Sequence, residues 1–586
     1  MSNKKMIKLT IDSKEVEVPL GTTILEAARK VDIDIPTLCF LKQINEVGNC
    51  RMCLVEIEGQ RGYKASCVYP AEEGMVVRTN TKDLLDTKKS ILELILSTHE
   101  KKCLTCVRSK SCKLQDLSKK FGIEDLEYEG VMPEVDFDDS SDCIVRNTAK
   151  CILCKRCVNV CKKVQGVSAI TTLNRGFNSK IGVALNMGIK KSTCVGCGQC
   201  VIHCPVGALT EKSNLPNLKE MLADPNKIVI IQTAPAVRAA LGEEFGMKIG
   251  TLVTGKMVAA LRKLGFYKVF DTDFAADVTI MEEATEFIER LKKGENLPMI
   301  TSCSSGWITF AEKFYPELLK HLSSTKSPME IMGTIIKTHY AKTMGIDPKN
   351  IYSVALMPCS AKKAEIIREK LRLEDGIQAV DNVVTTREMA RFMQESNIDL
   401  KVQNDEEFDS PLGVATGAGH IFGTTGGVME AALRSVSYML TGTEIENVEF
   451  KELRSNKDIK EATIVIDGVN HKIAVAQGLA NVSKIMDEIK KGKSKYSFIE
   501  VMTCPGGCIN GGGQPIVDEY TASKIDYKKL RSAALYKADK NAKYRRSHEN
   551  PDVKKLYKDF LGIPNGTFAH KMLHTSYQKQ DVYVEE

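Results

Sequence analysis

The spacing of apolar and polar positions changes character along the 586 residues. Met6-Ile-Lys-Leu-Thr-Ile-Asp and Glu15-Val-Glu-Val-Pro alternate with period two, which predicts a hairpin with one buried face. Thr23-Ile-Leu-Glu-Ala-Ala-Arg-Lys then takes helical spacing, with Thr22 or Thr23 placed to cap it. Residues 85–125 read as mostly helical. From about 213 onward, short apolar runs alternate with helical stretches. Lys227-Ile-Val-Ile-Ile-Gln-Thr, Lys268-Val-Phe-Asp-Thr, Leu297-Pro-Met-Ile-Thr, Tyr352-Ser-Val-Ala-Leu-Met and Ser497-Phe-Ile-Glu-Val-Met read as buried strands, and 282–293 and 387–395 as helices. The expected class is multidomain: α+β modules first, then α/β with parallel sheets and helices on both faces. Ligands in such sheets bind at the carboxyl ends of the strands.

At 43% hydrophobic the chain is globular, and its length suggests about four domains. No apolar run approaches the ~18 residues that would suggest a membrane span. Met1-Ser-Asn-Lys-Lys carries no apolar signal region, so the expectation is a soluble cytoplasmic protein with no membrane partner. In a reducing compartment its 20 cysteines point to metal rather than disulfides. That changes the meaning of the net charge of +7. A four-thiolate iron–sulfur site carries roughly −2, so a few such sites cancel the excess, and the charge is no argument for nucleic-acid binding.

Sixteen of the cysteines lie between Cys39 and Cys204. Cys39, Cys50, Cys53 and Cys67 surround a central C-x2-C, a [2Fe-2S] arrangement for which zinc is the competing metal. Gly48 lets the backbone approach that site. His99 precedes Cys103, Cys106 and Cys112 in a set one ligand short of four without it, which makes His99 the fourth ligand of a [4Fe-4S] cluster. The acidic stretch 134–142 reads as a linker. Two copies of C-x2-C-x2-C-x3-C follow, at Cys151, Cys154, Cys157, Cys161 and at Cys194, Cys197, Cys200, Cys204. This is the ligand pattern of a two-cluster ferredoxin, in which each fourth cysteine serves the other cluster. Pro205 keeps the motif's terminal proline; Lys162 does not. Cys143 lies outside every run and reads as a free thiol, and the Lys-rich C-terminal patches read as solvated surface. The boundaries are set at 1–80, 81–126, 127–212 and 213–586.

The last four cysteines fall just past predicted strand ends: Cys303 in Thr301-Ser-Cys-Ser-Ser-Gly-Trp307, Cys359 in Met357-Pro-Cys-Ser-Ala-Lys-Lys-Ala-Glu365, and Cys504 and Cys508 in Met502-Thr-Cys-Pro-Gly-Gly-Cys-Ile-Asn-Gly-Gly-Gly-Gln-Pro515. Distant thiols meeting at one strand edge make a metal pocket, and the glycines suit a backbone pressed against a bulky cluster. Gly-rich 416–427 lacks a Gly-Lys-Ser/Thr ending and reads as pocket wall rather than a phosphate loop.

At these residues the chain resembles the [FeFe]-hydrogenases, whose signatures are T-S-C-C-P-x-W, M-P-C-x-x-K-x-x-E and M-x-C-x-x-G-C-x-x-G-G-G-x-P. The second and third match in full, and the module order resembles the large clostridial monomeric type over nearly the whole chain. The resemblance implies a β-grasp [2Fe-2S] domain, a small helical domain with one His and three Cys ligands, a two-[4Fe-4S] ferredoxin domain and a two-lobed α/β catalytic domain. It implies one [2Fe-2S], three accessory [4Fe-4S] clusters and an H-cluster: a [4Fe-4S] cubane joined through a cysteine sulfur to a two-iron subsite with CO, cyanide and azadithiolate. Cys359, Cys504 and Cys508 would hold the cubane, with Cys508 bridging. Lys362 would hydrogen-bond a cyanide. Met357, Met502, Pro235, Ala236, Ser302 and Phe422 would line the pocket. A proton path would run through Cys303, Glu283, Ser323, Glu286 and Arg290; by spacing alone Glu283 and Glu286 share one helical face.

One departure matters. Ser304-Ser305 stands where the family has Cys-Pro, so Ser304 replaces a cubane ligand in direct register. Either Ser304 ligates as an alkoxide, or Cys303 takes the ligand's place, or the cubane has an open site. The implied activity is interconversion of H2 with protons and electrons, with heterolytic cleavage at the distal iron and the azadithiolate amine as base. The implied partners are ferredoxin or a similar carrier and the maturation proteins that build the two-iron subsite. An H2 or redox sensor on the same scaffold, an electron-transfer subunit like that of respiratory complex I or a formate dehydrogenase, and an iron–sulfur carrier are the alternatives. The Cys359, Cys504 and Cys508 signatures weigh against the electron-transfer subunits; Lys362 and the glutamates weigh against the carrier.

Overall fold

A computed structural model describes residues 5–128, 130–442, 449–455, 458–466 and 468–584. The N-terminal hairpin forms as its alternation predicts: Met6–Ile11 pairs antiparallel with Lys14–Pro19, burying Ile7, Leu9, Ile11, Val16 and Val18. Met6–Ile11 also pairs in parallel with Val76–Arg78, which pairs antiparallel with Leu54–Ile57, giving a five-stranded β-grasp sheet. Helix Ile24–Lys30 covers it. Its cap is Thr23, in a capping box with Glu26 that satisfies two otherwise unpaired amides.

Helices Lys82–Ser97 and Lys113–Lys120 form the next segment, with the cysteine-bearing loop between them. The acidic stretch is not a free linker. Phe137–Asp138 joins Ile144–Asn147 and Leu209–Glu211 in a three-stranded sheet, because Asp136 and Asp138 pair with the buried Arg146 at 3.0 and 3.6 Å.

The remainder is α/β in two lobes. One sheet, ordered Lys268–Asp271, Ile228–Thr233, Ile351–Met357, Asn382–Thr385, is wholly parallel. Its alternating residues reach two cores: Val229 and Ile231 pack with Met257, Leu261, Met389 and Met393, while Ile230 packs with Phe274, Ile331 and Tyr340. The second sheet places Met299–Ile300 and Val469–Gln477 in parallel on either side of Phe498–Met502. It departs from the expected parallel pattern at one edge, where Ile459–Ile466 pairs antiparallel with Val469–Gln477. That hairpin went unread because its outer half is exposed, so its sequence is polar-interrupted rather than continuously apolar. One face of this sheet shares a core with the ferredoxin segment, joining Trp307, Leu479 and Val501 to Ile170, Val183 and Val201.

Helix Thr272–Lys293 starts ten residues before the predicted 282. Asp271 caps it, and its first turns are buried. The C-terminal segment is no surface tail: Val553, Leu556, Leu561, Ala569 and Leu573 pack into the first lobe's core. Among the described residues no helix is long and apolar enough to cross a membrane.

Candidate active site and electron relay

The four cysteines of the first domain form two close pairs. Cys53 and Cys67 have sulfurs 3.2 Å apart, and Cys39 acts on Cys50 so that the Cys50 thiol pKa is lowered while that of Cys39 is raised. Two thiols on each side of a small gap fit the two irons of a [2Fe-2S] core. His99 is buried, and its Nδ1 has no partner. Burial lowers its pKa, favouring the neutral imidazole a metal requires. Its companion Cys103 is exposed, as are Lys101, Lys102, Leu104 and Lys110 around it.

The ferredoxin thiols sort into two groups. Cys151, Cys154, Cys157 and Cys204 line one cavity. Cys200 is acted on most by Cys197, Cys194 and Cys161, and less by Cys157. Each fourth cysteine thus crosses to the other group. Burial first, and neighbouring thiols after it, push Cys154 to about 12. So many enclosed thiols fit cluster cores that take them as thiolates. Cys143, the odd thiol, is buried between Cys194 and Cys359.

The back four cysteines converge as the strand ends predict. Cys303 follows Met299–Ile300, Cys359 follows Ile351–Met357, and Cys504 and Cys508 follow Phe498–Met502, all at carboxyl ends. Cys359 and Cys508 both act on Cys504, whose pKa burial drives well above the ordinary thiol range. Cys303, Cys359 and Cys508 are surrounded by protein yet retain some accessible surface. The glycine run forms a wall with no room for side chains. A Cβ on Gly511 would sit 2.2 Å from the Pro358 carbonyl oxygen, and one on Gly512 would sit 2.5 Å from that of Cys197. Gly512 therefore presses directly on the ferredoxin loop. Gln199 donates to the Asn510 carbonyl at 3.0 Å, and Ser360 to that of Gly196 at 2.7 Å, fastening the two segments together.

Lys362 is buried and ion-paired to Glu365 at 2.8 Å. Burial alone would lower its pKa, but Glu365 more than offsets this and holds the ammonium charged. Ser305 and Ser327 both donate to the same carboxylate. Such a site, with soft thiols, one fixed cation and a close-packed backbone, fits a bulky anionic cluster. Phe422 and Met502 share a core with Cys303, Met357 closes the strand before Cys359, and Ala236 stands against Gly423, with Pro235 buried beside it. Ser304 turns its hydroxyl to Thr503 at 2.8 Å, next to Cys504, while burial first and then the Glu283 carboxylate raise the Cys303 thiol pKa.

Glu283 is fully buried, and neither of its oxygens makes a hydrogen bond. Burial raises it to about 8; the Ser323 hydroxyl and Ser302 amide offset this in part, and Glu286 adds to it. Ser323 donates to Glu286 at 3.1 Å, and Glu286 pairs with Arg290 at 2.5 Å at the half-open end. The structure thus brings Cys303, Glu283, Ser323, Glu286 and Arg290 into one line. The Ser302 hydroxyl donates to the Thr325 carbonyl at 2.7 Å.

Sequence reasoning missed Glu365, Thr503 and Gln199. Glu365 was visible as the last residue of its motif; Thr503 and Gln199 act through contacts between distant segments. Asp271, Asp273 and His420 gather closely enough to suggest a cation site. The Arg238 guanidinium fills it, 2.6 Å from Asp271 and 3.3 Å from Asp273.

Comparison with known proteins agrees module by module. The family model described as the iron only hydrogenase large subunit, C-terminal domain, matches residues 227–512, and the iron hydrogenase small subunit matches 525–580. Ahead of them, a 2Fe-2S iron-sulfur cluster binding domain matches 4–82, the NADH-ubiquinone oxidoreductase-G iron-sulfur binding region 88–127, and a 4Fe-4S dicluster domain 150–208. The chain is 45% identical to the NADP-reducing hydrogenase subunit HndD of Solidesulfovibrio fructosivorans, over 98% of this chain and 99% of that one. It is 42% identical to iron hydrogenase 1 of Clostridium pasteurianum, over 98% and 100%. A solved structure of a variant of apo [FeFe]-hydrogenase HydA1 from Chlamydomonas reinhardtii superposes with a TM-score of 0.57 at 39% identity, covering 63% of this chain and 100% of that one.

Proposed function

As this chain belongs to the iron-only, or [FeFe], hydrogenases, whose reaction is the reversible interconversion of H2 with protons and electrons, we propose how its own residues divide that work. Cys39, Cys50, Cys53 and Cys67 hold a [2Fe-2S] cluster. His99, Cys103, Cys106 and Cys112 hold one [4Fe-4S], and the two ferredoxin groups hold two more. Cys359, Cys504 and Cys508 would hold the cubane of the H-cluster, Cys508 also serving the two-iron subsite, and Ser304 would complete the ligand set. Thr503 supports that reading: its hydroxyl at 2.8 Å and amide at 3.4 Å can both donate to the Ser304 oxygen, which eases ligation as an alkoxide. When bound, the two-iron subsite supplies the metal centre at which H2 is formed and split.

The protein's part is to exclude water, fix charge and move protons. Lys362, locked by Glu365, offers an N–H to an anionic ligand of the subsite. Cys303 passes protons to Glu283, and Ser323, Glu286 and Arg290 connect that carboxyl to the surface. Electrons would pass between the ferredoxin segment and the catalytic lobe where Gly198 meets Gly512. They enter near the exposed Cys103, whose lysine surround suits an acidic carrier such as ferredoxin. Maturation proteins insert the two-iron subsite, and the reducing cytoplasm is where 20 unpaired thiols persist.

The observation that carries this reading is the meeting of Cys359, Cys504 and Cys508 against Lys362–Glu365. The test is anaerobic H2 evolution by the matured enzyme with reduced ferredoxin. Turnover that disappears with Cys508→Ala supports the reading; turnover that survives it overturns the ligand assignment. A redox sensor on the same scaffold is favoured by Ser304 alone, and it would show the cofactor's infrared bands with turnover too slow to sustain gas evolution.

A further inference from the structure

A second hydrogen-bonded branch leaves the outer carboxylate of the proton line. Ser324 Oγ lies 3.2 Å from Glu286 Oε2 and 2.8 Å from Nδ1 of the buried His574. His574 Nε2 lies 3.0 Å from Glu282 Oε2. Glu282 also accepts from the Asn565 amide at 2.7 Å and from the Tyr557 hydroxyl. Every group here is protein, and none touches the cluster cysteines.

The donors fix the proton positions. Glu282 accepts from all its partners, so Nε2 carries a hydrogen. Ser324 has one hydroxyl hydrogen and two neighbours competing for it. If Glu286 is protonated, its O–H donates to Ser324, whose own O–H donates to Nδ1 of a neutral imidazole. If Glu286 is ionised, Nδ1–H donates to Ser324 and Ser324 donates to the carboxylate. One concerted shift interconverts the two states. The Glu286 O–H bond breaks as a Ser324 O–H bond forms, and the old Ser324 O–H breaks as Nδ1–H forms. No electron moves. After the shift there are two ion pairs, Glu286 with Arg290 at 2.5 Å and the imidazolium with Glu282 at 3.0 Å. Before it, Arg290 faces a neutral acid and Glu282 a neutral ring.

We propose that His574, through Ser324, is the proton store of the outer end of the path, holding a proton for Glu286 on an imidazole seated against Glu282. It touches no reacting atom and acts only through Glu286; the inference therefore rests on the proton path proposed above. Other charges around it are Glu289 and Arg290 on the same helix as Glu282, Lys326, whose ammonium is bound to the Met572 carbonyl at 2.8 Å, and the exposed His570 stacked on His574 at 4.3 Å. The stacked ring offers no hydrogen-bonded continuation, so the branch stores a proton and does not lead it out.

The test is the pH profile of H2 evolution in the matured full-length enzyme. With His574→Gln the proton must sit on Glu286 alone, 2.5 Å from the Arg290 guanidinium. The pH at which the rate falls to half should move to the acid side by about one unit or more, while the acid plateau stays within about threefold. Ser324→Ala, which cuts the branch and leaves the buried imidazole in place, should give the same shift and decides the matter if His574→Gln fails to fold. An unmoved midpoint in both variants, or a loss equal at every pH, overturns the store. Glu286→Gln separates the two claims: if it abolishes turnover while the midpoint stays put in the others, only the store is wrong; if it turns over normally, the path itself falls.

Discussion

Replacing Glu283 by Gln should have opposite effects on rate and on stability, and the structure gives a size to each. The carboxyl is sealed from water with no donor on either oxygen, and burial lifts it to about 8. At neutral pH it therefore holds a proton, as a relay between Cys303 and Ser323 must for part of each turnover. An amide of the same shape cannot release one. Loss of a positioned acid–base group costs about 10²- to 10⁴-fold, or about 3 to 5 kcal/mol of barrier. Stability runs the other way. An acid raised from 4.5 to about 8 is bound to more protons in the fold than in the unfolded chain, so its contribution is complete below 4.5 and is lost as pH rises through 8. At about 1.4 kcal/mol for each tenfold change in proton affinity, ionising it costs the fold up to about 5 kcal/mol. Glu283→Gln should thus melt with the wild type at pH 5 and above it at pH 9. H2 evolution and anaerobic calorimetry across pH measure both. A variant that keeps its rate, or a melting difference that stays flat with pH, refutes the argument.

Other outcomes follow from the same geometry. Cys303→Ser should abolish turnover yet leave the H-cluster assembled, and Ser304→Cys should change the cubane's potential and EPR signal; cubane loss in Cys303→Ser, seen by EPR, would put Cys303 in the ligand's place. Glu365→Gln strips the buried Lys362 of its counter-ion and should destabilise the fold by about 3 kcal/mol or more, read as a fall in melting temperature. Gly512→Ala forces a Cβ against the ferredoxin loop, costing about 1–3 kcal/mol and slowing electron delivery from ferredoxin in stopped-flow reduction. The full chain made without maturation proteins should still bind one [2Fe-2S] and three accessory [4Fe-4S] clusters, counted by iron analysis and EPR, with one signal altered in His99→Ala.

The parts of this molecule that speak in short range were legible in its sequence. The hairpin at Met6–Ile11, the Thr23 cap and the buried strand Ile228–Thr233 each follow from residue spacing alone. The cysteine runs were legible because cluster ligation demands fixed spacings. What was hidden depends on contacts across the fold. The 134–142 stretch read as a linker until Arg146 gave its aspartates a partner. The Ile459–Ile466 edge strand is partly exposed, and Lys460, Glu461 and Thr463 break up its apolar residues. Helix Thr272–Lys293 hid its first turns because Asp273 and Asp277 look like solvent residues, yet Asp273 pairs with Arg238 and Asp277 accepts from Thr416 and Asn550. His574 gave no signal at all, since its partners lie hundreds of residues away.

The central claim is that Cys359, Cys504 and Cys508 seat a cubane carrying a two-iron subsite in the site fixed by Lys362. Infrared spectroscopy of the matured protein tests it most directly. The account predicts absorption bands from metal-bound CO and cyanide in the matured wild type, and their loss when Cys508 is replaced by Ala. Iron–sulfur clusters assembled after maturation with no such bands would contradict it.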